Sequence, residues 1–214
     1  MAAAIAFVVV RNEWRGVAPD ISAYTMRGID VSAHNGEIDF PRVAADSVHF
    51  AYIKATEGAG FCDSRFHSNY YEARQAGLKV GAYHFFRFDR PGDMQAVNLL
   101  QAVRGMEFDL PLAIDVEAWT NPEEVSPQVV ATELDRMIRY LEARGYRVAL
   151  YANKKDYDRF LRGRFDRQLL WLCSFTEPDS AIRWTFWQHT HRGTVDGIKG
   201  PVDLNVVAGD TLPR

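Results

Sequence analysis

The residues best placed to do chemistry are Asp115 and Glu117, which close the apolar run Leu110-Pro-Leu-Ala-Ile114 as Asp115-Val116-Glu117. The run reads as a buried strand. Side chains alternate along a strand, so both carboxylates project to one side, about 7 Å apart by strand rise. Two carboxylates at the end of a buried strand cost stability unless the site needs them. Each raises the other's pKa, so one can stay a protonated acid while the other stays charged. Cleavage of a glycosidic bond needs that division of labour.

From Gly28 onward a short apolar run, a polar turn and usually a helical stretch alternate. Strands are expected at Gly28–Ser32, His49–Ala55, Lys79–Phe86, Leu110–Glu117, Arg147–Ala152, Leu169–Phe175, Trp184–Gln188 and Val202–Val206. These runs are apolar on both faces, as parallel strands covered by helices are. Helical patterns lie between them: Ser64–Gln75 ending at Gly77, Pro91–Val103 with Met94, Val97 and Leu100 on one face, Pro127–Arg144 with Val130, Leu134, Ile138 and Leu141 on one face, and Lys154–Leu161. Late in the chain helices thin out. The expected fold is α/β: an irregular TIM-like β/α barrel of about eight strands with four to five helices. Active sites of such barrels sit at the C-terminal ends of the strands. Asp30 lies near the end of the first strand, and Asp203 lies on the last strand, which closes beside the first. A barrel therefore gathers Asp30, Asp115, Glu117 and Asp203 at one mouth.

The bulk properties are ordinary for a soluble globular protein. The chain has 214 residues, 47% of them hydrophobic and 25% charged, enough for one well-cored domain. A net charge of -3 gives no basic field for nucleic acid. No Gly-rich phosphate loop follows any strand, so a nucleotide is not an expected partner. Cys62 and Cys173 cannot build a disulfide framework and are either thiols or one bridge. No metal-ligand spacing is present and no cofactor is expected. Ala2–Val10 is an apolar run too short to span a bilayer. A signal h-region, an anchor remnant, an artificial addition and an added edge strand all fit it, although the positive n-region is missing. Residues 1–24 are assigned to an N-terminal extension and 25–214 to the catalytic domain.

Six segments stand in one order along the core: Gly28-Ile-Asp-Val-Ser32, Ala51-Tyr-Ile-Lys-Ala-Thr-Glu-Gly58, Gly81-Ala-Tyr-His-Phe85, Asp115-Val-Glu117, Trp187-Gln188, and Gly193-Thr-Val-Asp-Gly-Ile198 with Val202-Asp-Leu-Asn205. Together they resemble the motif set of glycoside hydrolase family 25, lysozymes of the N-acetylmuramidase type. The resemblance implies a flattened, irregular barrel and hydrolysis of the β-1,4 bond between N-acetylmuramic acid and N-acetylglucosamine in peptidoglycan. It matches Glu117 to the family's proton donor, and Asp30, Asp115 and Asp203 to its other acidic positions. His189 stands where the family often has Tyr, which bears on a subsite.

Two mechanisms follow, both with net retention. Asp30 or Asp115 attacks or stabilises the sugar cation, or the substrate's 2-acetamido group attacks while Asp115 orients it. In either, Asp115 and Asp30 are expected to raise the pKa of Glu117. Candidate substrate-binding residues are Tyr83 and Phe85 on one strand face, Lys54 toward a carboxylate, Tyr151 toward the acetamido group, Trp119 as a stacking wall, and Trp187 and Gln188 toward sugar. Barrel filling is the alternative for Phe85, and a surface position is the alternative for Trp119. His84 is expected to face outward. The competing functions are a chitinase-like N-acetylhexosaminidase and a non-catalytic glycan-binding barrel. The expected partner is the peptidoglycan glycan strand, met by a monomer outside the cytoplasm.

Overall fold

The computed structural model of the chain describes residues 18–213. Its centre is a sheet closed on itself. The strands are β1 (Arg27–Val31), β2 (Phe50–Glu57), β3 (Phe61–Cys62), β4 (Lys79–Phe85), β5 (Leu112–Asp115), β6 (Val148–Asn153), β7 (Leu169–Cys173), β8 (Phe186–Gly193) and β9 (Val202–Val207). The order β1-β9-β8-β7-β6-β5-β4-β2 returns to β1 through the β1–β2 pair, giving an eight-stranded barrel, while β3 folds back on the end of β2. Five helices accompany it: α1 (Phe40–Ala45), α2 (Phe66–Gln75), α3 (Gly92–Ala102), α4 (Pro127–Glu142) and α5 (Lys154–Asp156). The last runs into a wider turn over Tyr157–Leu161.

Strand alternation separates two apolar clusters. Phe50, Tyr52, Ala113, Ala149, Tyr151, Trp171, Cys173, Phe186 and Val207 fill the inside of the barrel. Ile29, Ile53, Val80, Ile114, Leu150 and Leu172 point outward and meet Phe66, Leu99, Leu134 and Ile138 of the helices. The interior is crowded by rings: Tyr52 stacks on Trp171 with centroids 4.5 Å apart. That leaves no room for side chains opposite. A Cβ on Gly28 would lie 2.3 Å from the Phe50 ring, and one on Gly81 2.4 Å from the Tyr52 ring.

Several sequence expectations change. β9 is antiparallel to both β1 and β8, so the barrel is mixed rather than parallel. With only a loop between β8 and β9 (Thr194–Pro201) the chain cannot cross over, and it must return in the opposite direction. Leu110 and Pro111 precede β5 and Glu117 lies two residues past it, so the strand-rise spacing of Asp115 and Glu117 does not apply. The buried face of α3 is Gly92, Gln95, Ala96 and Leu99, and Met94 is 52% exposed. Gln95 is drawn inward because it accepts from the Arg87 backbone N–H at 2.8 Å and pairs with His84 Nε2 at 3.1 Å. The sequence reading missed α1, which has Asp39 as its N-cap and Pro41 in its first turn.

Tyr24 stands on the extension side of the expected domain boundary. Its ring nevertheless packs 5.7 Å from Trp184 and 5.9 Å from Trp187. The apolar run Ala2–Val10 lies outside the described residues. Among the described residues no helix is long and apolar enough to cross a membrane.

Candidate active site

The C-terminal ends of the parallel strands and the N-terminal end of β9 share one rim of the barrel. Asp30 on β1 and Asp203 on β9 are register partners. Asp203 arrives at that rim because its strand runs the other way and begins there. Gln188 Nε2, from β8, donates to Asp30 Oδ2 at 2.8 Å and to Asp203 Oδ2 at 3.2 Å. Asn205 Nδ2 donates to the same Asp30 oxygen at 2.7 Å. Asp115 on β5 is register partner to Phe85 on one side and Tyr151 on the other. Glu117 follows on the loop, with Oε1 accepting from Asn153 Nδ2 at 2.9 Å. The four acids therefore face one space.

The surroundings of Asp30, Asp115 and Glu117 hold protons on. Burial pushes Asp30 well above the usual carboxylate range, and the charge of Asp203 pushes it further, against the donors Asn205 and Gln188. Burial also raises Asp115, followed by the charge of Glu117. Asp115 Oδ1 is buried with no hydrogen-bond partner among the described residues. Glu117 is raised as well, first by burial; the Asn153 bond opposes this and the charge of Asp156 adds to it. The expectation that Asp115 and Asp30 drive the Glu117 shift is thus corrected in part: burial leads, Asp156 supplies the foremost charge, and the Asp115–Glu117 repulsion is expressed on Asp115.

The remaining predicted residues divide into two groups. Tyr83 sits among the acids, and burial and the charges of Asp30 and Asp115 keep its phenol protonated. Lys54 Nζ bonds Glu57 Oε2 at 2.9 Å and lies 5.3 Å from the centre of the Phe85 ring. Trp119, two residues after Glu117, is 52% exposed. Phe61 on β3, which the sequence reading missed, is equally exposed and 5.7 Å from Lys54 Nζ. Phe61 and Trp119 are thus exposed, whereas Phe85 is 5% exposed and fills the barrel wall, the alternative reading of it.

Tyr151 donates its hydroxyl proton to Gln188 Oε1 at 2.7 Å, which leaves its oxygen to meet an acetamido group as an acceptor; Gln188 and Trp187 do not present the groups expected of them. Gln188 is buried, with both ends of its amide engaged by Tyr151, Asp30 and Asp203. It orders the acids rather than meeting sugar. Trp187 is a plain correction. It is one residue from Gln188 and so points out of the barrel, fully buried, with Nε1 donating to the Ser174 carbonyl at 2.7 Å.

His189 shares that outward face 5.9 Å from Trp187, and burial lowers its pKa to about 4. Its departure from the family pattern therefore lies behind the wall, not in the groove. His84 faces outward as expected and contacts Thr56 Oγ1 at 2.7 Å. Both cysteines are free thiols, Cys62 exposed and Cys173 buried.

Asn153, Asp156 and His191 went unnoticed in the sequence, and Asn205 was given no role although it ends a quoted motif. Period-2 spacing could have flagged Asn205 from Asp203, and Asn153 from Tyr151. His191 Nδ1 lies 3.3 Å from Asp203 Oδ1 and its Nε2 3.4 Å from Cys173 Sγ. Burial disfavours its charge, but Asp203 and Cys173 outweigh that and raise its pKa to about 11.

The comparisons with known proteins agree with this geometry. The model of glycosyl hydrolases family 25 matches residues 29–198. Lysozyme M1 of Streptomyces globisporus is 33% identical over 202 residues, covering 86% of this chain and 68% of the relative. Protein YegX of Escherichia coli K12 is 36% identical over 197 residues, covering 88% and 71%. The structure of a family 25 glycosyl hydrolase from Bacillus anthracis superposes with a TM-score of 0.83 at 35% identity, covering 92% of this chain and 94% of that one. The family match ends at Ile198, before Asp203, which reaches the mouth through the return of β9. A mixed eight-stranded barrel, acids gathered at one rim, and a sequence match over most of the core lead to one conclusion: the chain is a glycoside hydrolase and belongs to glycosyl hydrolases family 25.

Proposed function

We propose that this barrel cleaves the β-1,4 bond between N-acetylmuramic acid and N-acetylglucosamine in peptidoglycan, with net retention and Glu117 as general acid and then base. The observation that carries the proposal is the quartet of Asp30 and Asp115, buried, with Glu117 and Asp203, half-buried, at the rim of a family 25 barrel. The Streptomyces globisporus relative is a lysozyme by name, which supports this substrate class. Peptidoglycan lies outside the cytoplasm, so the same reading puts the site of action there, and the protein works as a monomer.

Burial raises the Glu117 pKa, as a proton donor near neutral pH requires. The fate of the sugar cation is assigned to the substrate's own acetamido group. A buried carboxylate oxygen without a protein donor is costly. Asp115 Oδ1 is such an atom, and an acetamide N–H would complete it. That contact orients the amide oxygen toward the anomeric carbon and draws Asp115 to its charged form. Phe61 and Trp119 offer ring faces to pyranoses at the rim.

The test is Glu117→Gln assayed on purified cell walls. Turbidity loss should slow by about 10²- to 10⁴-fold while sedimentation with the walls and the melting temperature stay near wild type. Near-normal clearing by this variant rejects Glu117 as the acid. Turnover of soluble chitin oligomers in preference to walls favours the hexosaminidase alternative. Wall binding without turnover by the wild type favours the glycan-binding one.

A further inference from the structure

Among the described residues, the Glu117 carboxyl is gripped through one oxygen. Asn153, the last residue of β6, caps α5: its Oδ1 accepts the Asp156 backbone N–H at 2.9 Å. That bond settles which end of the amide is nitrogen. Nδ2 therefore faces the other way, donating to Glu117 Oε1 at 2.9 Å and to Asp156 Oδ2 at 2.8 Å. The same Asp156 oxygen accepts the Ala118 backbone N–H at 3.0 Å, tying down the residue after Glu117. Asn121 holds the Glu117 carbonyl through Nδ2 at 2.8 Å. The amide thus cannot turn its oxygen toward Glu117 without breaking its own helix cap.

We propose that Asn153, locked by Asp156, is a positioning residue that fixes the catalytic proton on Glu117 Oε2. The inference rests on the reading of Glu117 as acid and deepens it. An oxygen accepting an N–H bond is a poor place for a proton, so Oε1 stays an acceptor and Oε2 carries the hydrogen. In the first step the Oε2–H bond breaks and the proton passes to the glycosidic oxygen, which takes the electron pair of the breaking C–O bond. The acetamido oxygen bonds the anomeric carbon as that bond breaks; in the second step the water oxygen bonds the same carbon, the acetamido C–O bond breaks with its electron pair returning to the amide, and Oε2 takes the proton from water. Throughout, the Asn153 donor favours the anion, while the charge of Asp156 opposes it. The charged groups facing Glu117 are Asp115 from β5, Asp156 from α5, His191 from β8 and Asp203 from β9.

Two substitutions should move the Glu117 titration in opposite directions. Asn153→Ser keeps an oxygen to cap α5 but removes the donor, so Glu117 should titrate at higher pH. Asp156→Asn keeps an acceptor for Ala118 and Asn153 but removes the charge, so Glu117 should titrate at lower pH. The measurement is ¹³C-carboxyl NMR of Glu117 in the full chain, beside kcat/KM against pH on cell walls. The alkaline limb should follow the carboxyl titration in each variant. In Asn153→Ser, kcat should fall by about ten- to a hundredfold with KM little changed. Asn153→Asp, nearly isosteric and also able to cap, replaces the serine variant if that one does not fold, with the same direction expected.

A Glu117 titration that stays put in both variants, or a loss of kcat explained by unfolded protein, overturns the proposal. The carboxyl titration reads Asn153 whatever the reaction is. Turnover by Glu117→Gln would count against the acid assignment alone.

Discussion

At the residue scale, acids kept close together for chemistry should weaken the fold. In the unfolded chain Asp115 loses its proton near pH ~3.9; in the fold, burial and the Glu117 charge make it hold that proton to higher pH. Between those two points the native state binds more protons than the unfolded chain. Stability therefore falls as pH rises through this window. Asp115→Asn removes the effect. It should melt above wild type at pH 7, the gap closing below about pH 4, while nearly all wall hydrolysis is lost. Calorimetry across pH checks this; an Asp115→Asn protein that melts lower at pH 7 would show that the carboxylate stabilises the fold. Stereochemistry is read from the same centre. NMR of the first product should show the retained anomer, and an inverted one rules out both the acetamido and the carboxylate routes.

At the element scale, strand alternation decides what each residue can touch. Trp187 and Gln188 are neighbours with opposite fates, one packed behind the wall on Tyr24 and Trp184, the other inside between the acids. Trp187→Ala should cost about 3–5 kcal/mol of stability and leave KM for walls unchanged in the folded fraction. A raised KM at unchanged stability would return Trp187 to the groove. Inside the barrel, Gly81→Ala pushes a methyl into the Tyr52 ring. It should cost about 1–3 kcal/mol, measured by denaturant unfolding, and a neutral result would mean that the ring has somewhere to move.

At the scale of the whole molecule, the fold was legible because apolar runs and helical spacing are strong local signals. Eight runs closing into a barrel put Asp30, Asp115, Glu117 and Asp203 at one mouth from the sequence alone. What stayed hidden was not local. The reversal of β9 follows from a short connection, which governs direction but leaves the strand's own composition unchanged, and it is why Asp203 begins its strand yet reaches the mouth. The grip of Asn153 and Asp156 on Glu117 joins β5 to the β6–α5 corner, and nothing in either segment names the other. The inward turn of Gln95 on α3 answers to His84 on a strand, so an apolar-face reading selected Met94 instead.

On the proposed function these acids cut one particular sugar linkage. Mass spectrometry of muropeptides released from defined walls by the wild-type protein tests it most directly. Released fragments should carry N-acetylmuramic acid at the reducing end, and Glu117→Gln should release none. Fragments ending in N-acetylglucosamine, or the same release by Glu117→Gln, would contradict it.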